Sequence, residues 1–211
     1  MTVPFTTFDK LYIDGAWVDG GSERDAIINP ATEAVIGHAP VGNAAAVDAA
    51  IAAARDAFDT GIWPRMAMSE RATCLRRMHA ALDARRQQIA ALIVAEVGCS
   101  QGITQGMQVA NPLDHLLAAV EHSTRDDSVR LPIDITPDPF NPDGPKKIGG
   151  TTVVREPVGV VAAITGYNFP FLINLAKIVP ALLAGNTMVL KPSPFTPFSA
   201  LLFGEIAEEI G

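Results

Sequence analysis

Apolar residues along this chain switch between the period of a strand and the period of a helix, and the switches mark its elements. Leu11-Tyr12-Ile13 and Ala16-Trp17-Val18 flank Asp14-Gly15, a pairing of short strands and turn residues that predicts a hairpin. Asn29-Pro30-Ala31-Thr32 reads as a second turn, with a short strand from Ala34 to Ala39. Asn43 is placed to cap a helix reaching about Thr60, whose apolar face carries Val47, Ala50, Ile51, Ala54 and Phe58. Ser69 is expected to cap the next helix, with Leu75, Met78 and Leu82 in its stripe. A further pattern through Ile89, Leu92 and Ile93 stops at Gly98, and another helix is expected to start near Pro112.

The pattern changes at residue 129. Val129 to Ile135 alternates like a strand, Pro137 to Gly150 is a loop rich in Pro, Gly, Asn and Asp, and Thr151 to Arg155 is strand-like again. A long hairpin arm of this kind cannot bury both of its faces, so it invites a partner chain. Val158 to Ile164 is then a continuous apolar run of strand length, the pattern of a strand covered on both faces. Gly166 to Pro170 is a turn, Phe171 to Ala184 is helical and closed by Gly185, and Thr187 to Leu190 is a second buried strand. Thr196-Pro197 gives an N-cap followed by Pro at the first helical position, opening a helix to Gly211. Strand, helix, strand, helix with short loops implies an α/β fold with a parallel sheet. Three regions follow: 1–128, an arm at 129–156, and a βαβα unit at 157–211.

Parallel strands place ligands in the crevice beyond their carboxyl ends. Two loops occupy those ends, Thr165-Gly166-Tyr167-Asn168 and Lys191-Pro192-Ser193-Pro194. Lys191 offers a cation, Ser193 a small polar group, and Gly166 a close backbone approach for an anionic, planar ligand. The plainer alternative is a strand-end lysine and a turn asparagine.

Charge narrows the partners. A formal net charge of -7 argues against a nucleic-acid or anionic-membrane surface. The basic run Arg71 to Arg86 alternates with Leu75, Met78 and Leu82, as a solvated helix face does. Cys74 and Cys99 form neither a disulfide framework nor, with the four histidines, a metal-ligand spacing. Met-Thr-Val-Pro lacks the basic and apolar regions of a secretory signal, and Phe171 to Ala184 is too short to span a bilayer. A cytoplasmic protein is expected.

Pro157-Val158-Gly159-Val160-Val161, Tyr167-Asn168-Phe169-Pro170, Lys177, Pro180-Ala181-Leu182, Gly185-Asn186-Thr187 and Val189-Leu190-Lys191-Pro192 together resemble the aldehyde dehydrogenase superfamily. Upstream, Asp14-Gly15-x-Trp17, Asn29-Pro30-Ala31-Thr32, the Val47 to Phe58 helix and Glu70-Arg71 resemble its N-terminal region in the right order. The resemblance implies a Rossmann-like parallel sheet, a β-hairpin oligomerisation arm, and a homo-oligomer (dimer or tetramer) built through it. It implies that region 1–128 belongs to the cofactor-binding domain and that 157–211 is the first, truncated βαβα unit of the dinucleotide-binding domain.

The resemblance also implies roles. Asn168 matches an asparagine whose amide helps form an oxyanion hole, a donor whose loss typically costs roughly 100- to 1,000-fold in rate. Lys191 matches the lysine that binds the adenosine ribose hydroxyls, and Ile164, Thr165, Gly166, Tyr167, Asn168, Pro192 and Ser193 complete the cofactor-binding set. Lys177 matches a lysine near the active centre; the competing reading is a helix lysine with a buried stem. Tyr167 stands where tryptophan is commoner. Pro194 stands where many members carry a ribose-binding glutamate, which leaves NADP as an alternative to NAD, the first choice.

The implied reaction is oxidation of an aldehyde to the acid with NAD(P) as hydride acceptor. It needs a nucleophilic cysteine and a glutamate base, and neither Cys74 nor Cys99 sits in a matching context. The chain is therefore expected to be an N-terminal portion, inactive alone, with nucleophile and base outside it. Two alternatives stay open: a non-catalytic binding or assembly fragment that needs a partner, and an acyl-phosphate- or acyl-CoA-linked semialdehyde reductase of the same superfamily.

Overall fold

The computed structural model describes residues 8–125 and 128–211. Two antiparallel pairs come first: β1 (Leu11–Ile13) with β2 (Ala16–Val18), and β3 (Arg24–Ile28) with β4 (Val35–Pro40). The expected first hairpin turns through Asp14 and Gly15, both at positive φ. Asn43 does cap α1 (Ala44–Asp59), its side chain accepting from the Ala46 N–H. The apolar face of α1 is only partly used. Ala54 is buried, whereas Val47 and Ile51 are about half exposed.

Two helix starts differ from the sequence expectation. Ser69 does not cap α2 (Met68–Ala84); Ala67 is the boundary residue, and the Glu70 carboxylate accepts its N–H. An acid one turn into the helix thus does the work expected of the serine. Nor does a separate helix start at Pro112. After α3 (Arg86–Val97) and Gly98, α4 (Gln101–Ile103) runs through a π-helical stretch, Thr104–Ala110, straight into α5 (Asn111–Ser123). Pro112 has no N–H to return to the preceding turn, and the Asn111 N–H reaches the Gly106 carbonyl five residues back.

The arm consists of two short ladders, β5 (Val129–Arg130) with β8 (Thr152–Val153) and β6 (Asp134–Thr136) with β7 (Lys147–Gly149). The expected strand is cut by Pro132, which cannot donate to a ladder. Lys147–Gly149, read as loop, pairs instead. Ile133, Ile135, Phe140 and Ile148 are all exposed along it.

The βαβα unit is present as β9 (Val160–Ile164), α6 (Pro170–Leu183), β10 (Thr187–Lys191) and α7 (Phe198–Ile210). β9 and β10 are parallel, in register from Val160 opposite Thr187 to Ile164 opposite Lys191. Gly185 turns the chain out of α6 at φ +89, a left-handed value that favours glycine. Asn186 then staples the start of β9, its Oδ1 accepting from the Gly159 N–H at 3.0 Å while its Nδ2 donates to the Ala181 carbonyl at 3.2 Å. Thr187 donates its hydroxyl to the Ala54 carbonyl at 2.6 Å, which fixes α1 against β10.

The two-sided cover expected for β9 is incomplete. Ala163 is buried but Ile164 is 70% exposed, because β9 pairs with β10 alone among the described residues. The main core lies elsewhere, where α2, α3 and α5 meet α6 and α7 through Leu75, Leu82, Leu92, Leu116, Phe171 and Phe198. Among the described residues, no helix is long and apolar enough to cross a membrane.

Candidate functional site

Because β9 and β10 run in parallel and in step, their carboxyl ends lie side by side. The Thr165 N–H donates to the Lys191 carbonyl at 3.2 Å, extending the ladder to the first residue of the loop. The loop beyond β9 is Thr165 to Phe169, and the loop beyond β10 is Pro192 to Pro197.

These loops touch at two points. The Thr196 hydroxyl donates to the Tyr167 carbonyl at 3.4 Å. The Tyr167 ring stands edge-on to Phe195, with centroids 5.8 Å apart and planes at 80°. Such a pair is worth about 0.5–1.5 kcal/mol beyond the area it buries. Both rings remain more than half exposed, so they form an aromatic wall open to solvent.

The same two strand ends carry polar residues. Thr165 is buried, and its Oγ1 has no hydrogen-bond partner among the described residues. Asn168 is exposed, two residues before α6 begins at Pro170. Gly166 leaves room on its loop: a β-carbon there would meet Asn168 Oδ1 at 3.5 Å and Ile173 Cδ1 at 3.7 Å, ordinary contacts. Lys191 is exposed, its Nζ donating to the Pro192 carbonyl at 3.4 Å. Ser193 is turned inward, and its Oγ accepts the Phe195 N–H at 3.2 Å, a local turn that shapes the loop. Ile164, exposed at the end of β9, is the apolar member of the group.

Lys177 is exposed on α6. With Ile164, Val161, Ala162 and Pro180 it borders an open hollow of about 510 Å³ along β9. Cys74 and Cys99 are free and half-buried, one within α2 and the other just beyond α3, outside both strand-end loops. No cluster of metal-binding side chains occurs among the described residues.

Glu96 and Asn174 lie in no motif that marks them in the sequence. Asn174 is fully buried in α6, and neither end of its amide has a partner among the described residues. Glu96 is buried in α3, where its carboxyl accepts the Phe198 N–H at 2.6 Å and the Ser199 N–H at 3.3 Å. Burial pushes its pKa up to about 8, against the opposing pull of those two backbone donors and the Ser199 side chain. The available signal was positional: each is a polar residue on a face whose neighbours, Leu92 and Ile93 or Phe171 and Ile178, are buried.

Thr196 also departs from expectation. It does not cap α7. Pro197 is the boundary residue, the Thr196 hydroxyl is committed to Tyr167, and Glu96 supplies the acceptors for the first turn.

A parallel βαβα unit with polar and aromatic loops at its strand ends defines an α/β protein, and the strand-end rule makes those loops its candidate ligand site. Comparison with known proteins gives the family. The family model for the aldehyde dehydrogenase family matches residues 17–211, and the chain belongs to that family.

Among curated relatives, the 3-succinoylsemialdehyde-pyridine dehydrogenase of a Pseudomonas species is 38% identical over 97% of this chain and 39% of its own length. The lactaldehyde dehydrogenase of Escherichia coli K12 is 35% identical over 100% of this chain and 41% of its own. The chain thus spans about two fifths of the length of these relatives. Among solved structures, a variant of aldehyde dehydrogenase C from Pseudomonas syringae, complexed with NAD+ and octanal, superposes with a TM-score of 0.81 at 34% identity. That match covers 97% of this chain and 39% of the other. The NAD+ complex of the Bacillus cereus aldehyde dehydrogenase gives 0.85 at 28% identity, over 96% and 39%.

Proposed function

We propose that this chain carries the adenosine-side cofactor site and one oxyanion donor of an NAD(P)-dependent aldehyde dehydrogenase. The observation that carries the reading is the bridged pair of strand-end loops, which hold the unpartnered Thr165 Oγ1 and the exposed Asn168 on one side and follow the exposed Lys191 on the other. A buried hydroxyl without a partner and an open aromatic wall, carried by the same pair of loops, fit a polar, planar ligand.

In this reading Lys191 donates to ribose hydroxyls, Thr165 and Ser193 line the ribose and phosphate path, and Ile164, Gly166, Tyr167 and Pro192 complete its walls. The bound dinucleotide supplies the hydride acceptor. Asn168 aims its amide at the oxygen of the aldehyde, where negative charge develops as a thiol attacks. Lys177, on the neighbouring face of α6, contributes positive potential along β9. NAD is the first cofactor expected; Pro194 sets no carboxylate against a 2′-phosphate, so NADP is the comparison to run.

The thiol nucleophile and the base that activates water are assigned to no residue of the 211. Region 129–156 serves as an oligomerisation arm, its exposed isoleucines meeting a second copy. A cytoplasmic location fits this chemistry.

The test is NADH binding to the chain, followed by cofactor fluorescence, with Lys191→Ala alongside. Saturable binding weakened by the substitution supports the reading, and no saturable binding to the unsubstituted chain overturns it. Aldehyde-dependent NADH formation by the 211 residues alone would contradict the placement of the nucleophile.

A further inference from the structure

The first turn of a helix leaves backbone N–H groups without partners, and something must accept from them if they are buried. In α7 the accounting is complete. Pro197 has no N–H, the Ala200 and Leu201 N–H groups reach the Pro197 carbonyl, and the two remaining donors belong to Phe198 and Ser199. Both are taken by the carboxyl of Glu96, which comes from α3, 102 and 103 residues away in sequence. Phe198 and Ser199 are fully buried and Glu96 nearly so, so water does not serve in its place.

What precedes that turn gives the contact its meaning. Thr196, next to Pro197, holds the Tyr167 carbonyl through its hydroxyl, and the Ser199 hydroxyl in turn donates to the Thr196 carbonyl at 3.3 Å. A continuous line of hydrogen bonds therefore runs from Glu96 through the start of α7 and Thr196 to the loop beyond β9. Phe195, on the same segment, meets Tyr167 edge-on.

We propose that Glu96 is a positioning residue for the cofactor site: by anchoring the start of α7 it holds Phe195 and Thr196 against Tyr167 and keeps the two strand-end loops in register. It touches no ligand. The inference rests on the cofactor reading above for its consequence in binding, but its structural content stands without it. The six-residue loop between β10 and α7 is partly buried, at Ser193, Thr196 and Pro197, and its long-range polar and ring contacts run through Thr196 and Phe195, next to the turn that Glu96 anchors.

Amide hydrogen exchange on the whole chain tests this directly, because helix-start amides are protected only by their cap. Glu96→Leu keeps the volume and removes both acceptors. The expected result is faster exchange at Phe198 and Ser199, with the α2 and α5 amides unchanged, together with weaker NOEs between the Tyr167 and Phe195 rings. Glu96→Gln keeps one acceptor oxygen, so Phe198 is expected to stay protected, Ser199 to lose protection, and the Tyr167–Phe195 ring NOEs to remain near their starting intensity. If Glu96→Leu does not fold, the contrast between Phe198 and Ser199 in Glu96→Gln decides the anchor.

In the same samples, NADH affinity is expected to fall about tenfold in Glu96→Leu, the equivalent of one lost hydrogen bond, and to be largely restored in Glu96→Gln. Unchanged NOEs between the Tyr167 and Phe195 rings in Glu96→Leu, or no contrast between Phe198 and Ser199 in Glu96→Gln, overturns the proposal. Absence of NADH binding by the unsubstituted chain counts against the cofactor reading alone, since the exchange pattern is read without ligand.

Discussion

The hydroxyl of Thr196 donates to the backbone carbonyl of Tyr167 at 3.4 Å, and this bond, with the Tyr167–Phe195 ring contact, ties the loop beyond β10 to the loop beyond β9. Thr196→Val keeps the shape and deletes the donor. At this length the bond belongs near the low end of the usual range, so a loss of about 0.5–1 kcal/mol in unfolding free energy is expected. Urea denaturation checks it; a loss of several kcal/mol would mean that Thr196 does more than bridge the loops.

Asn186 is the stronger staple. Asn186→Ala leaves the Gly159 N–H without its acceptor at the entry to β9, where water has little access. A cost of about 2–3 kcal/mol is expected, the range for stranding a buried polar group. A melting temperature within a degree or so of the unsubstituted chain would show that the strand entry is held by other contacts.

Gly185 tests backbone conformation against packing. Its φ of +89 disfavours any β-carbon, and one placed there would stand 3.2 Å from the Arg71 guanidinium carbon. Arg71 is itself engaged, donating through Nε to the Leu183 carbonyl at 2.9 Å. Gly185→Ala is expected to cost about 1–2 kcal/mol from the left-handed conformation, with more if Arg71 is displaced. A neutral effect in thermal unfolding would contradict the conformation.

Glu96 gives a pH dependence with a definite sign. Its folded pKa is raised to about 8 by burial, from an ordinary value of 4.5. The folded chain therefore holds a proton that the unfolded chain has released, and the contribution is full below the ordinary value and lost as pH rises through about 8. Stability is expected to decline between about pH 5 and pH 8.5, and Glu96→Gln, which cannot ionise, is expected to flatten that decline. Denaturation midpoints across the range measure it; an equal slope in both proteins would remove Glu96 as the cause.

The sequence made the order of elements legible because periodicity and punctuation coincide. Gly185 ends α6, Asn43 caps α1, and apolar runs give β9 and β10 their places. The strand-end rule then located both loops of the candidate site. What stayed hidden depends on contacts between distant residues. Whether Ser69 or Glu70 satisfies the start of α2 is settled by geometry that composition does not carry. Thr196 reads as a helix cap from its neighbour Pro197, yet a carboxyl from α3 takes that role and frees the hydroxyl for Tyr167. Val47 and Ile51 form a regular stripe on α1, but periodicity marks only a face, not what covers it.

The most direct measurement of the central claim is a residue-by-residue NMR titration of the labelled chain with NAD+. A cofactor site on the strand-end loops predicts saturable shifts concentrated at Thr165, Gly166, Tyr167, Asn168, Lys191 and Ser193. It predicts that Lys191→Ala weakens binding by roughly 10- to 100-fold, as expected for one hydrogen bond from a charged donor. Shifts centred on another surface, or none at saturating cofactor, would contradict it.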